Sequence, residues 1–87
     1  MSDVSGYSEI ANDQLDEIEA SGDAELYDDI LVLCEFILGH PADAQSRSSA
    51  LTTKDGIRFR LPVPGRHPYK VFWTSGAPRI EAVFPYP

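Results

Sequence analysis

The sequence predicts an α+β fold, with an N-terminal antiparallel helical hairpin packed on a C-terminal three-stranded antiparallel sheet. Three observations carry that expectation. Apolar residues recur at three- and four-residue spacing as far as Leu38, the period of a helix with one buried side. From Ile57 to Phe84 the spacing changes to two, the period of a strand with one buried face. Turn-forming residues, Ser21-Gly22, Pro64-Gly65 and Ser75-Gly76, separate the apolar runs and leave connections so short that successive elements must fold back on one another.

Residues 1 to 7 are small and polar apart from Val4 and Tyr7 and read as a frayed terminus or a very short edge strand. Ser8 is suited to cap a first helix running to about Ala20, with Ile10, Ala11, Leu15 and Ile18 on one side and Glu9 and Asp13 near its positive end. Ser21-Gly22 ends it, and Asp23 can cap a second helix extending to Gly39. In that helix Leu26, Ile30, Leu33 and Ile37 form one apolar stripe, and Tyr27, Leu31, Cys34 and Leu38 a neighbouring one. It is the expected main cover of the sheet. Gly39 and Pro41 are expected to stop it. Residues 42 to 53, polar apart from Leu51, read as a connection with room for one helical turn.

The strands are expected at about 56 to 63, 68 to 74 and 78 to 85. In the first, Ile57, Phe59, Leu61 and Val63 alternate with Arg58, Arg60 and Pro62, giving one apolar and one basic face. Tyr69, Val71 and Trp73 alternate with Lys70, Phe72 and Thr74 in the second, and Ile80, Ala82 and Phe84 with Arg79, Glu81 and Val83 in the third. A lone small sheet is marginal in water, so the helices must cover one face.

With 87 residues and 43% hydrophobic content, residues 1 to 87 are expected to form one domain around one core. Cys34 is the sole cysteine, which excludes an intramolecular disulfide and a thiolate zinc cluster, and His40 with His67 makes a poor metal site. The longest apolar run, Ile30 to Leu38, is interrupted by Glu35 and is too short to span a bilayer, and Met-Ser-Asp-Val lacks the pattern of a signal peptide. A cytoplasmic protein without membrane contact is the expectation. The net charge of −7 is unevenly spread: residues 1 to 45 carry −12 with no Lys or Arg, and the remainder carries +5. Such a division gives a bipolar field if the halves face different sides, although charge on a helix often serves only to solvate it.

The order of two helices and a meander, with a basic strand followed by Tyr69-Lys70-Val71-Phe72-Trp73 and a closing Ile80-Glu81-Ala82-Val83-Phe84, resembles the RelE/ParE superfamily of bacterial type II toxin–antitoxin toxins. The likeness spans about residues 8 to 87 and includes the entry into the first helix at Tyr7-Ser8. The family contains ribosome-dependent messenger-RNA endonucleases and proteins that poison DNA gyrase, so fold alone does not choose between them. The resemblance implies a cognate antitoxin as partner, the ribosome and messenger RNA or else DNA gyrase as target, and no cofactor or metal.

Arg58 and Arg60 fall where the RelE-type nucleases carry two basic residues, and Lys70 where they carry an arginine. These side chains suit a phosphate backbone and a transition state gaining negative charge. Arg66 and Arg79 extend the candidate RNA-binding set. His67, Lys70 and Tyr86 are the candidate catalytic residues of a metal-independent endoribonuclease, His67 and Tyr86 as acid or base, with Tyr86 also able to stack on a base. Trp73 and Cys34 read as core. The alternative is a non-catalytic protein-binding member of the same fold, favoured by the acidic helices, which would repel RNA.

Overall fold

The computed structural model describes residues 6–86, and the element order is helices first, then a meander. Helices α1 (Glu9–Ala20), α2 (Ala24–Gly39) and α3 (Pro41–Arg47) are followed by strands β1 (Ser49–Thr53), β2 (Gly56–Pro62), β3 (Tyr69–Thr74) and β4 (Arg79–Pro85). The sheet has four strands rather than three, in the order β1-β2-β3-β4, with every neighbouring pair antiparallel. The residues expected to form a connection build α3 and β1 instead. Pro41 does end α2, but it also supplies the first turn of α3, where a missing N–H costs nothing. Ser49–Thr53 pairs with Gly56–Arg60 across a two-residue turn, Lys54-Asp55.

Both helix caps form as the sequence implies. The Ser8 hydroxyl accepts a hydrogen bond from the Ala11 amide at 3.0 Å, and the Asp23 carboxylate accepts one from Leu26 at 3.1 Å. The α2 stripe of Leu26, Ile30, Leu33 and Ile37 is buried together with Cys34, while α1 contributes Ala11 and Leu15. Ile10, expected with them, is 63% exposed, because only the side of α1 that lies along β4 is covered.

From the sheet, Leu61, Val63, Val71, Trp73, Ile80 and Val83 join the same core. Burying each large aliphatic or aromatic side chain is worth about 1.5–3 kcal/mol, which makes the fully buried Trp73, Ile30, Ile37 and Ile80 its principal anchors. The Trp73 indole nitrogen donates to the Ser48 hydroxyl at 3.1 Å, so the buried ring keeps its polar atom satisfied at the joint between α3 and β1. Ile57, expected on the covered face, is 58% exposed, since it lies at the β1–β2 turn beyond the helices.

A β-bulge corrects the expected phase of β4. Phe72 pairs with Ala82 but Trp73 pairs with Ile80, leaving Glu81 as the extra residue. Ile80 and Val83 therefore reach the helix side, and Ala82 and Phe84 do not share a face with Ile80.

The outer edge of β4 is covered. Tyr7 forms a parallel bridge with Ile80, the Ser8 amide donates to the Ile80 carbonyl at 2.9 Å, and the Ile80 amide donates to Gly6 at 2.6 Å. The Ser8 hydroxyl donates to the Glu81 carbonyl at 2.7 Å, and the Val83 amide donates to Gln14 Oε1 at 2.6 Å. This short segment matches the expectation of an edge strand at Tyr7, while Val4 lies outside the described residues. No helix among the described residues is long and apolar enough to cross a membrane.

Candidate nucleic-acid interface

Because side chains alternate along each strand, the face of the sheet away from the helices is fixed by the register. Leu51 and Arg58 form one row; Ser49, Arg60, Phe72 and Ala82 a second; Pro62, Lys70 and Phe84 a third. This face carries both cations and aromatic rings, a combination that neither the core nor the acidic helices require.

The rings and cations converge at one end. Phe72 and Phe84 stack with centroids 4.9 Å apart and planes 11° from parallel, and the Tyr86 ring stands edge-on to both at 5.5 and 6.1 Å. The Arg60 guanidinium lies over the Tyr86 ring, 5.5 Å from its centroid. Lys70 Nζ donates to the Tyr86 carbonyl at 2.6 Å. Tyr86 is further held by its amide, which donates to the Pro68 carbonyl at 2.9 Å. Phe72 is only 4% exposed although it faces away from the helices, so this cluster is a small second core. Tyr86 is 37% exposed and Arg60, Lys70 and Phe84 are half-buried, leaving their outer surfaces to solvent.

Arg58 lies on the same face, half-buried and opposite Leu51. His67 is exposed in the turn between β2 and β3, next to the Pro68 carbonyl that holds Tyr86. Arg66 and Arg79 are not brought to this cluster. Arg66 Nε donates to Asp29 at 2.8 Å, with Glu25 at 3.8 Å, and the hydrogen bond to Asp29 raises the guanidinium pKa further. Arg79 sits at the opposite end of β4 from Tyr86, its Nε 3.6 Å from Glu81 Oε2, and Glu81 also accepts from the Thr74 hydroxyl.

Sequence reasoning missed Phe72 and Phe84 as site residues. Phe72 alternates in phase with Lys70, which was a sufficient signal, whereas the bulge at Glu81 hid the true face of Phe84.

Elsewhere, an apolar groove of about 520 Å³ runs between α2 and β2, walled by Val32, Leu33, Phe36, Leu61, Pro62 and Pro64. Arg47 lies at its rim, its guanidinium 5.2 Å from the Phe36 ring centroid. Cys34 is buried on the inner side of α2 and Tyr7 is half-buried against the core, and burial is the main force pushing both pKa values up to about 12. A thiol held protonated in this way is a poor nucleophile.

Fold and face together define a small α+β domain with a helix-covered side and an open basic–aromatic side. No protein-family model, curated protein or solved structure matches the chain.

Proposed function

We propose that this protein is a RelE/ParE-like toxin of a type II toxin–antitoxin system, acting on ribosome-associated messenger RNA through the open face of its sheet. The observation that carries this reading is the convergence of Arg60, Lys70 and Tyr86, two cations directly joined to one half-exposed aromatic residue. Cations beside aromatic rings are the basis of single-strand recognition, charge for the phosphates and rings for the bases.

In the reaction, the RNA 2′-oxygen attacks the adjacent phosphorus as the bond to the 5′-oxygen breaks, giving a cyclic phosphate and a 5′-hydroxyl. The proton lost from the 2′-hydroxyl and the proton gained by the 5′-oxygen need groups to carry them, which are the roles of the Tyr86 hydroxyl and His67. Arg60, Arg58 and Lys70 stabilise the charge gathering on the phosphate. A cognate antitoxin would hold the protein inactive in the cytoplasm.

A second reading, a non-catalytic binder of a protein such as DNA gyrase, is favoured by the pairing of Arg66 and Arg79 with carboxylates and by the exposed acidic surface of α1 and α2. The test is addition of the purified protein to a translating ribosome system. Cleaved messenger RNA, reduced about 10²-fold or more by Lys70→Ala or Tyr86→Ala, supports the nuclease. Intact RNA with gyrase inhibited supports the second reading, and intact RNA with gyrase unaffected overturns both.

A further inference from the structure

The two edges of the sheet differ. On β4 the outward main-chain groups of Ile80, Glu81 and Val83 are met by Gly6, Ser8 and Gln14. On β1 nothing is paired beyond β2 among the described residues. Exposed edges are normally guarded by charged residues, proline or a bulge. Ser49-Ala50-Leu51-Thr52-Thr53 has none of these, and its pairing with β2 is regular throughout.

The Lys54-Asp55 turn fixes which groups point outward. Thr53 and Gly56 flank a two-residue hairpin turn and exchange hydrogen bonds, so Thr53, Leu51 and Ser49 direct their main-chain groups to β2. Ala50 and Thr52 then direct theirs away from the sheet.

We propose that β1 pairs with β1 of a second copy of this chain, antiparallel and centred on Leu51, to form a homodimer with one continuous sheet. Only this register overlaps the whole strand with itself. It sets Ala50 of each copy opposite Thr52 of the other, so every outward-pointing group finds a partner. A two-fold axis normal to the sheet keeps equivalent faces on the same side. Leu51 then meets Leu51 on the open face, and no like charges are opposed along the strand. The Arg58 and Arg60 side chains of the two copies would line a single basic face twice as wide.

The experiment is sedimentation equilibrium of the full chain from micromolar to millimolar concentration, with amide exchange measured on the same samples. The expected result is a monomer–dimer equilibrium in which exchange at Ala50 and Thr52 slows as concentration rises. Leu51→Lys, which sets like charges face to face, should abolish the dimer while circular dichroism stays unchanged. A monomer at every concentration overturns the proposal. So does a dimer indifferent to Leu51→Lys, or one in which exchange at Ala50 and Thr52 does not slow.

Discussion

Gln14 Oε1 accepts a hydrogen bond from the Val83 amide at 2.6 Å, so a side chain of α1 completes the outer edge of β4 where the segment at Tyr7 no longer reaches. Gln14→Leu leaves that amide without a partner beneath an apolar side chain and should cost about 1–3 kcal/mol in urea unfolding. Gln14→Glu keeps the acceptor and should cost less. Equal losses in the two variants would show that the bond itself is not what matters.

Arg58→Glu combined with Arg60→Glu should abolish RNA binding and any growth arrest on expression, with an unchanged circular dichroism spectrum, because both residues face away from the core. Single changes to Ala should each flatten the dependence of log affinity for single-stranded RNA on log salt by about 0.7, the value for one lost phosphate contact. Arg66→Ala should leave that slope alone, since its guanidinium is turned to Asp29.

Stability should fall in alkaline solution. Cys34 and Tyr7, ordinarily at 9.0 and 10.0, are both raised to about 12 in the folded chain, mainly by burial. Below pH 9 both states keep these protons and the two groups contribute no slope. Between those ordinary values and about 12 the unfolded chain releases protons that the folded chain retains, so stability declines as pH rises. Tyr7→Phe and Cys34→Ala should each remove part of that decline, read as the change in urea midpoint between pH 8 and pH 11. An unchanged slope in both variants would place the alkaline transition elsewhere.

Deleting Glu81 should be tolerated. The deletion turns the bulge into a regular strand and leaves Ile80 and Val83 on the helix side, with Phe84 still stacked on Phe72. The loss should be about 1–2 kcal/mol, for the bonds to Ser8 and Thr74. Deleting Val71 from the regular pairing of β3 would reverse the faces of the residues beyond it and should unfold the domain.

These contrasts explain how much of the molecule could be read in advance. The helices were legible because Ser8 and Asp23 cap them and their apolar spacing is sustained, and β2 and β3 because their alternation is unbroken. Strand β1 was not, since Ser49–Thr53 has a single large apolar residue and neither of its faces is deeply buried. Part of the site followed from alternation alone, which set Arg58, Arg60 and Lys70 opposite the core. The joining of Tyr86 to Arg60 and Lys70 did not, because it depends on a tertiary hydrogen bond to Pro68 and on an extra residue in β4. Likewise, Arg66 finds Asp29 across 37 residues, a pairing invisible to local pattern.

The packing of α1 along β4 has a consequence for synthesis on the ribosome. The first helix leans on the last strand of the described residues, and Ser8 and Gln14 are bonded to Glu81 and Val83, 73 and 69 residues away. Ala11 and Leu15 must therefore wait, solvated or held by a chaperone, until the final strand has emerged from the exit tunnel. The meander can form locally as it appears, each hairpin closing on its predecessor, but the helical layer is sealed in one late, long-range step, the kind of contact that slows folding most. A chain lacking Arg79–Pro85 would hold three of the four strands but no partner for α1, and would stay open to proteases until that strand is supplied.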